Sequence, residues 1–231
     1  QKSKVRVLTV GSSPGADYCV THTSVRNSRV HFQVNARPFI FPGAAGFLAA
    51  NAAMAIAMAE SVGVSLAEMP ESWDDLCLPE GRFQEQFLVR DIRIIYDGYN
   101  ASPASFEAAL EAFELMEATG RKFLVFADML ELGDESPQYH ERLGRKASRS
   151  LLDYALAYGP NAKGSIEVIR QETPFIHAEH FEDAESLALF LKDQIRAGDL
   201  LLLKASRAMK MDRVLEILHQ KKWEAEPQSR L

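Results

Sequence analysis

Polar residues that could bind a ligand follow three apolar runs in the part of the chain after residue 90. They are Asp97, Tyr99 and Asn100 after the first run, Asp128 and Glu131 after the second, and Lys204, Ser206 and Arg207 after the third. Each run is typical of a buried strand, which predicts that its polar residues lie at that strand's carboxyl end. Ligands of open α/β sheets bind at this edge, so the three junctions together indicate a site better than one alone.

The first junction has the signals of a strand, a loop and a helix in succession. β-branched and aromatic residues precede Asp97, and Ser102 before Pro103 is typical of a helix N-cap followed by position N1. The loop is therefore expected at the amino end of a helix, where ligands of such sheets bind. Asp97 and Asn100 also fit a plain capped turn, because both residue types are common in turns.

Strands and helices alternate in this part of the chain. Strands are predicted near 86–96, 122–127, 153–158, 174–177 and 199–204, and helices near 103–118, 137–150, 183–196 and 207–221. Strands alternating with helices of this length predict the α/β class, with a Rossmann-like, mostly parallel, doubly wound sheet. Right-handed crossovers place helices on both faces of such a sheet.

The pattern before residue 79 is different. It predicts a strand at 4–10, antiparallel strands around 30–34 and 39–41, an alanine-rich helix at 46–60 and a short helix at 66–76. Asn51 is the one polar residue of the alanine-rich helix before Glu60, and it fits a solvent-facing position as well as a ligand contact. We predict a first domain at 1–78, a linker at 79–82, a second domain at 83–223 and a tail at 224–231.

Composition narrows the class of protein. The 231 residues are 47% hydrophobic and 25% charged, which allows an ordinary globular core. The net charge of −6 argues against a general nucleic-acid binder. Cys19 and Cys77 are too few for a disulfide scaffold, which favours a reducing compartment. Neither a signal peptide nor an apolar run of membrane-spanning length is found, so we expect no membrane span.

The string Asp-Gly-Tyr-Asn-Ala-Ser-Pro-Ala-Ser at 97–105 resembles the Asp-x-Tyr-Asn-Ala-x-Pro-x-Ser signature of the Mur ligases. Further matches follow the order of that family: Asn51 in its helix, Gly81-Arg82, Ala127–Gly133 with the downstream His140, and Lys204–Arg207. His140 taken alone also fits an exposed helix position, which we favour slightly. The resemblance covers nearly the whole chain. It implies part of the central ATP-binding α/β domain at 1–78 and the C-terminal Rossmann-like ligase domain at 83–223.

The resemblance is to the Mur ligase that adds D-alanyl-D-alanine to UDP-N-acetylmuramoyl-tripeptide. It implies that ATP phosphorylates the tripeptide's terminal carboxylate and that the amine of D-Ala-D-Ala attacks the acyl phosphate, releasing phosphate and ADP. The implied cofactors are ATP and Mg²⁺, and the implied partners are the two substrates. The implied setting is cytoplasmic peptidoglycan synthesis, and hence cell wall biogenesis, cell shape and cell division, and we expect a monomer.

The resemblance also implies roles for individual residues. ATP binding is assigned to Asn51, Arg82, Asp97, Tyr99 and Asn100, with Asn51 on adenine and with Arg82 and Asp97 on the ribose–phosphate region. Substrate binding is assigned to Asn100, Ser206 and Arg207. Lys204 is the candidate catalytic residue, although a purely structural lysine fits the same pattern. No metal ligand is assigned within the chain.

The sequence departs from the family's pattern at several positions. Phe47 and Leu48 stand where the family has His and Asn, and Ala127 and Ala205 replace two glycines, which narrows the approach of a ligand to the backbone. The chain contains no Gly-Lys-Ser/Thr loop to hold phosphates and starts at Gln1. We therefore expect an inactive fragment, with the P-loop and the metal ligands upstream.

Two alternatives remain open at this point. The first is a non-catalytic module that binds a nucleotide or a dipeptide, because a Rossmann-like domain with one acidic loop can bind without doing chemistry. The second is a related ATP-dependent amide ligase such as cyanophycin synthetase or folylpolyglutamate synthetase. The Tyr-Asn-Ala-x-Pro string argues against the second alternative.

Overall fold

The computed structural model describes residues 7–88 and 91–220. The chain divides into two compact units, Gln1–Pro79 and Glu80–Leu231. Within the described ranges, no helix has the length and apolar character needed to cross a bilayer.

The first unit is a four-stranded sheet with one helix. Its strands, in sheet order, are β1 (Val10–Gly11), β2 (Tyr18–Arg26), β3 (Arg29–Val34) and β4 (Arg37–Pro42). β2, β3 and β4 are antiparallel neighbours, whereas β1 pairs with β2 in parallel. Helix α1 (Leu48–Ser61) buries a face of alanine and isoleucine, and small side chains allow it to pack closely.

Several predictions for the first unit are confirmed and others are wrong. The antiparallel strands at 30–34 and 39–41 and the alanine-rich helix are present. β2 was not predicted, because its polar residues hide the alternation of buried positions. The short helix predicted at 66–76 is only the 3-10 turn Leu66–Glu68, after which the chain extends and Ser72 bridges to Ile40 of β4. Of the strand predicted at 4–10, residues 4–6 lie outside the described ranges, residues 7–9 are not in a strand, and only Val10 belongs to β1.

The second unit contains a six-stranded sheet with helices. Its strands are β5 (Gln84–Phe87), β6 (Arg93–Asp97), β7 (Lys122–Ala127), β8 (Tyr154–Tyr158), β9 (His177–Phe181) and β10 (Leu200–Lys204). Its helices are α2 (Pro103–Glu114), α3 (Ser136–Ala147), α4 (Ala162–Glu172), α5 (Ala184–Gln194) and α6 (Met211–His219). The strand order is β5-β6-β10-β7-β8-β9, and only β5 runs antiparallel to its neighbour. The predicted mostly parallel α/β sheet is confirmed.

The strand order arises because the chain adds strands outward from β6 to β9 and then returns to the middle of the sheet for β10. The connections from β6 to β9 run outward along the sheet, and right-handed crossovers put α2, α3 and α4 on one face. Helix α5 then leads back to β10, so α5 and α6 pack together on the other face. β10 thereby enters between β6 and β7, and Lys204 lies opposite both Asp97 and Phe126. The carboxyl ends of these three strands are therefore neighbours.

Element boundaries in the second unit correct the sequence interpretation. The single strand predicted at 86–96 is a hairpin, β5 followed by β6, whose turn includes Asp91 at a φ of 57°. Helix α4 was not predicted, and the strand predicted at 174–177 ends where β9 begins. The helix predicted at 207–221 starts as the 3-10 turn Arg207–Met209 before α6, and its last residue lies outside the described ranges.

Candidate functional site

A buried ion pair joins the first and third junctions. The Lys204 Nζ lies 2.5 Å from the Asp97 Oδ2, and the two side chains are 1% and 12% exposed. The same ammonium donates a hydrogen bond of 3.2 Å to the carbonyl of Asn100 and lies 5.6 Å from the centre of the Phe106 ring. Burial lowers the pKa of Lys204 below its ordinary value, and the Asp97 carboxylate opposes that shift. The Lys204 ammonium therefore binds groups of the protein itself and is not exposed to solvent.

The second oxygen of Asp97 fixes the segment Gly81–Phe83. The amide of Phe83 donates to the Asp97 Oδ1 at 3.1 Å, and the amide of Tyr99 donates to the carbonyl of Gly81 at 3.0 Å. Gly81 has a φ of 70°, and a Cβ there would lie 3.1 Å from the Tyr99 nitrogen. Both the backbone conformation and the close approach therefore favour glycine. Gly81 and Arg82, predicted as the end of a linker, are bound to the loop after β6.

Two exposed arginines lie against one tyrosine ring at this edge. The guanidinium carbon of Arg82 lies 4.0 Å from the centre of the Tyr99 ring, and that of Arg207 lies 5.2 Å from it. Both distances are within the range of cation–π interactions. Among residues 7–88 and 91–220, neither arginine forms an ion pair with a carboxylate. We call Arg82 and Arg207 the arginine pair; it is the exposed positive charge of the site.

Ser206 connects three loops. Its Oγ accepts a hydrogen bond from the Leu130 amide at 2.9 Å and donates one to the Ala101 carbonyl at 3.4 Å. Its own amide donates to the Asp128 carbonyl at 3.3 Å. The side chain is buried, so its hydroxyl holds the loops after β6, β7 and β10 together.

Helix α2 begins as its sequence predicts. The Ser102 Oγ accepts from the Ser105 amide, and the Ser105 Oγ accepts from the Ser102 amide, which forms a capping box. Pro103 occupies the first turn, so the predicted N-cap is confirmed. Asn100 is exposed, and its Oδ1 accepts from the Ala101 amide. Asn100 therefore faces solvent beside the capped end of α2.

At the second junction Asp128 is buried, whereas Glu131 is exposed and has a φ of 64°. The Asp128 carboxylate accepts hydrogen bonds from the amides of Asn161 and Ala162 and from the Asn161 side chain, at the start of α4. Gly159 has a φ of 105°, and a Cβ there would lie 2.4 Å from the Asp128 Oδ1. Sequence reasoning missed this contact because it missed α4, although the Gly-Pro-Asn string before the helix is a turn signal.

His140 is also part of this buried junction, and the exposed position that we favoured is wrong. Its Nε2 accepts from the Met129 amide at 3.0 Å, so its Nδ1 carries the proton and donates to the Ser136 carbonyl at 2.8 Å. The side chain is completely buried. His140 therefore fixes the loop after β7 from a buried position.

The residues that depart from the family's pattern lie at buried or half-buried positions. Leu48 is buried and Phe47 half-buried at the start of α1, whereas Asn51 faces solvent on the same helix. Ala127 and Ala205 are completely buried, each next to a strand end. Their methyl groups pack into the core of the second unit.

A pocket of about 740 Å³ opens at the opposite, amino edge of the second sheet. Arg93 and Lys122 line it, but the first donates to the carbonyl of Glu117 and the second to that of Glu114, around the carboxyl end of α2. Both cations therefore stabilise the carboxyl end of α2 by binding carbonyl groups there. The pocket lies at the other end of β6 from Asp97.

Metal ligands are a separate question. In the described part of the chain, no three His, Cys, Asp or Glu side chains lie close enough together to hold a metal ion.

Curated relatives can be aligned with most of this chain at 29–31% identity. The chain is 29% identical over 216 residues to a UDP-N-acetylmuramoyl-tripeptide--D-alanyl-D-alanine ligase of Bacillus subtilis (strain 168), covering 91% of this chain and 46% of the relative. It is 31% identical over 173 residues to the ligase of the same name from Escherichia coli (strain K12), covering 74% and 36%. The chain thus spans about half the length, or less, of these relatives, and it matches their C-terminal part.

Solved structures agree with the sequence match. The fold resembles a MurF ligase from Thermotoga maritima in complex with ADP, with a TM-score of 0.69 at 27% identity over 90% of this chain and 47% of that one. A MurF from Acinetobacter baumannii gives a TM-score of 0.79 at 26% identity, over 90% and 46%. The sequence profile described as "Mur ligase, glutamate ligase domain" matches residues 81–207, which run from Gly81 beside Tyr99 to the second arginine of the pair. Because that match covers more than half of the chain, the protein belongs to the Mur ligase family.

Proposed function

We propose that this chain is part of an ATP-dependent amide ligase that adds D-alanyl-D-alanine to UDP-N-acetylmuramoyl-tripeptide. Support comes from relatives of that name and from one observation: Asp97 and the arginine pair lie together at the carboxyl edge of the second sheet. Exposed guanidinium groups without carboxylate partners suit anionic groups such as phosphates, which they bind by charge and by paired hydrogen bonds. A nucleotide therefore fits the residues of this edge.

The proposed ligand contacts are the exposed residues and the Asp97 carboxylate, whose side chain is 12% exposed. Arg82 binds phosphate groups of the nucleotide, and Asp97 accepts hydrogen bonds from ribose hydroxyl groups through the lone pairs that its internal partners leave free. Tyr99 and Asn100 line the nucleotide and dipeptide side of the cleft. Arg207 binds an anionic group of the incoming substrate. In the first unit, Asn51 is proposed to contact adenine.

The buried residues are proposed to act indirectly. Lys204 donates to Asp97 and to the Asn100 carbonyl, so we assign it the role of holding Asp97 in place. Ser206 binds three loops together and is therefore proposed to fix the position of Arg207, its neighbour in sequence. Neither side chain needs to touch a substrate in this proposal.

ATP, when bound, supplies the phosphoryl group that activates a carboxylate for attack by an amine. The chain's own contribution is charge and position: the arginine pair neutralises anionic oxygens, and the fixed loop after β6 orients them. Mg²⁺ is expected to have its ligands outside this sequence, and no step of the proposal depends on it. We also propose that the setting is cytoplasmic synthesis of peptidoglycan precursors by a monomeric enzyme, in support of cell shape and division.

The domain assignment is part of the proposal. Residues 1–78 are proposed to be a portion of the ATP-binding domain, 79–82 a linker, 83–223 the C-terminal ligase domain and 224–231 a tail. Limited proteolysis tests the boundary. A protected fragment beginning well inside 83–223 would contradict it, whereas cleavage near Pro79 supports it.

Calorimetric titration of the chain with ADP tests the nucleotide site. Binding is expected, and Arg82→Ala is expected to weaken it about ten-fold or more, because one charge-assisted contact to phosphate is lost. Arg149→Ala is the matched control, since Arg149 is an exposed arginine at the far end of α3. Equal loss in both variants, or no binding at all, would contradict the site.

Ligation is tested separately. The 231-residue chain alone is expected to release no phosphate in the presence of ATP, UDP-MurNAc-tripeptide and D-Ala-D-Ala, because it contains no Gly-Lys-Ser/Thr loop. A longer protein that carries this chain and such a loop is expected to release phosphate only when D-Ala-D-Ala is added. If the longer protein releases phosphate whether or not D-Ala-D-Ala is added, a related amide ligase is favoured. If it releases no phosphate under any of these conditions, a binding module is favoured.

A further inference from the structure

The arginine pair brings together two charges from distant parts of the sequence. Arg82 precedes β5 and Arg207 follows β10, and both guanidinium groups lie within 5.2 Å of the centre of the Tyr99 ring. The positive charge of Arg82 also lowers the pKa of the buried Lys204, so Lys204 is a third cation near enough to be repelled by Arg82. Like charges repel one another, so a group that attracts both guanidinium groups would favour this arrangement.

The Tyr99 ring is the group available for this task. The face of an aromatic ring is negative and attracts guanidinium groups, and the described residues offer neither arginine a carboxylate instead. Tyr99 is 40% exposed, and both arginines are exposed, so the groups on its ring remain open to a ligand.

The backbone of Tyr99 is itself firmly held. Its amide donates to the carbonyl of Gly81, and the next residue's carbonyl accepts from Lys204. Two residues earlier, Asp97 is bound by the Phe83 amide and by Lys204. The ring therefore projects from a loop that is fixed on both sides, which suits a group that orients others.

We propose that Tyr99 is a positioning residue whose ring holds the arginine pair ready to bind the phosphate groups of a nucleoside polyphosphate. The inference rests on the proposed function for the nature of the ligand, and it adds a role for the ring that does not require the phenol hydroxyl to touch that ligand. Free arginine side chains lose much rotational freedom on binding, and stacking on the ring removes part of that loss in advance. Loss of both ring contacts is expected to weaken polyphosphate binding about five- to thirty-fold.

The test compares Tyr99→Leu with Tyr99→Phe in the whole chain. NMR signals of the arginine Nε–Hε groups report stacking directly, because an aromatic ring shifts the resonances of groups on its face; Arg82→Lys and Arg207→Lys assign them. Those shifts are expected to disappear in Tyr99→Leu and to remain in Tyr99→Phe. Calorimetry with ADP and with inorganic tripolyphosphate is expected to show the loss in Tyr99→Leu alone, with Tyr99→Phe near wild type. Phe175→Leu, which removes a ring that is 83% exposed elsewhere in the second unit, is the control.

The outcomes separate this inference from the proposed function. ADP binding that is equal in wild type and Tyr99→Leu overturns the inference and leaves the function standing. Equal losses in Tyr99→Phe and Tyr99→Leu also overturn it, since the hydroxyl would then be the essential group. Binding of tripolyphosphate but not ADP contradicts the nucleotide function, while the Tyr99 variants still decide the role of the ring. Binding of neither ligand overturns both.

Discussion

Asp97 and Asp128 occupy similar places in the second unit and have different surroundings. Asp97 ends β6 and pairs with the Lys204 ammonium, and the Asp128 carboxylate, which follows β7, accepts hydrogen bonds from the start of α4. The first carboxylate is accompanied by exposed arginines, whereas the second is enclosed and satisfied. Two acidic residues at the carboxyl ends of the strands on either side of β10 can thus have different roles, one at a ligand edge and one at a helix start, and the surrounding residues decide which.

The largest expected effect is on the Asp97 side of this comparison. Asp97→Asn leaves the buried Lys204 charge without a counterion, so the free energy of unfolding is expected to fall by about 3–5 kcal/mol. Adding Lys204→Met removes the orphaned charge and is expected to restore about half of that loss or more. Urea unfolding at neutral pH measures both variants. An Asp97→Asn protein as stable as the exposed control Asp193→Asn would show that the pair contributes nothing to the fold.

A smaller loss is expected on the Asp128 side. Asp128→Asn keeps one acceptor oxygen but loses the charge beside the amino end of α4, and charge-assisted hydrogen bonds contribute about 1.5–3 kcal/mol. Stability in urea should fall by about 1–3 kcal/mol while ADP affinity stays unchanged. If ADP binding weakens and stability does not, Asp128 belongs to the ligand edge and the contrast between the two carboxylates is wrong.

The smallest effect concerns the tyrosines beside the two junctions. Burial raises the pKa of Tyr96 to about 12, with the charges of Asp212 and Glu80 adding to the shift and Arg207 opposing it. Burial also raises the pKa of Tyr158, with Asp212, Tyr96 and Asp128 adding to it. A raised pKa means that the folded protein keeps a proton that the unfolded chain releases, so stability is present below pH 10 and falls between pH 10 and about 12.

Tyr96→Phe is therefore expected to make the loss of stability between pH 10 and about 12 less steep, as measured by urea unfolding across that range. Tyr158→Phe, which also loses the hydrogen bond from the hydroxyl to the Met209 carbonyl, should lower stability below pH 10, where the hydroxyl is protonated in both the folded and the unfolded state. An unchanged alkaline slope in Tyr96→Phe would mean that this hydroxyl is not enclosed by the fold.

Sequence patterns predicted the elements of the site better than its contacts. The apolar runs before Asp97, Asp128 and Lys204 and the cap at Ser102 are local signals, and the structure contains each element they predict. The pairing of Lys204 with Asp97 depends on β10 entering between β6 and β7, which is a property of the whole sheet. The enclosure of His140 depends likewise on a backbone amide and a carbonyl across its loop, and no spacing of residue types indicates them.

The hairpin and the missed helix show a second limit. The turn between β5 and β6 includes Asp91 with a positive φ, where the strongest turn signals would be Gly or Asn-Gly, so the run was interpreted as one strand. Helix α4 has lysine, glutamate and arginine on most of its surface and few apolar residues, which hides its period. In both places tertiary packing outweighs the local pattern.

The position of β10 has a consequence for how the protein is made. This strand is the last one in the described part of the chain and pairs with β6 and β7 in the middle of the sheet. While a ribosome is still synthesising the residues before Leu200, β6 and β7 each have an unpaired edge next to the gap, and such edges invite pairing with other chains. The gap between β6 and β7 is filled only when β10 pairs with both strands, and contacts between residues so far apart in sequence form slowly. A nascent chain arrested before β10 should therefore be the species most dependent on chaperones, and release of the last strand should end that dependence.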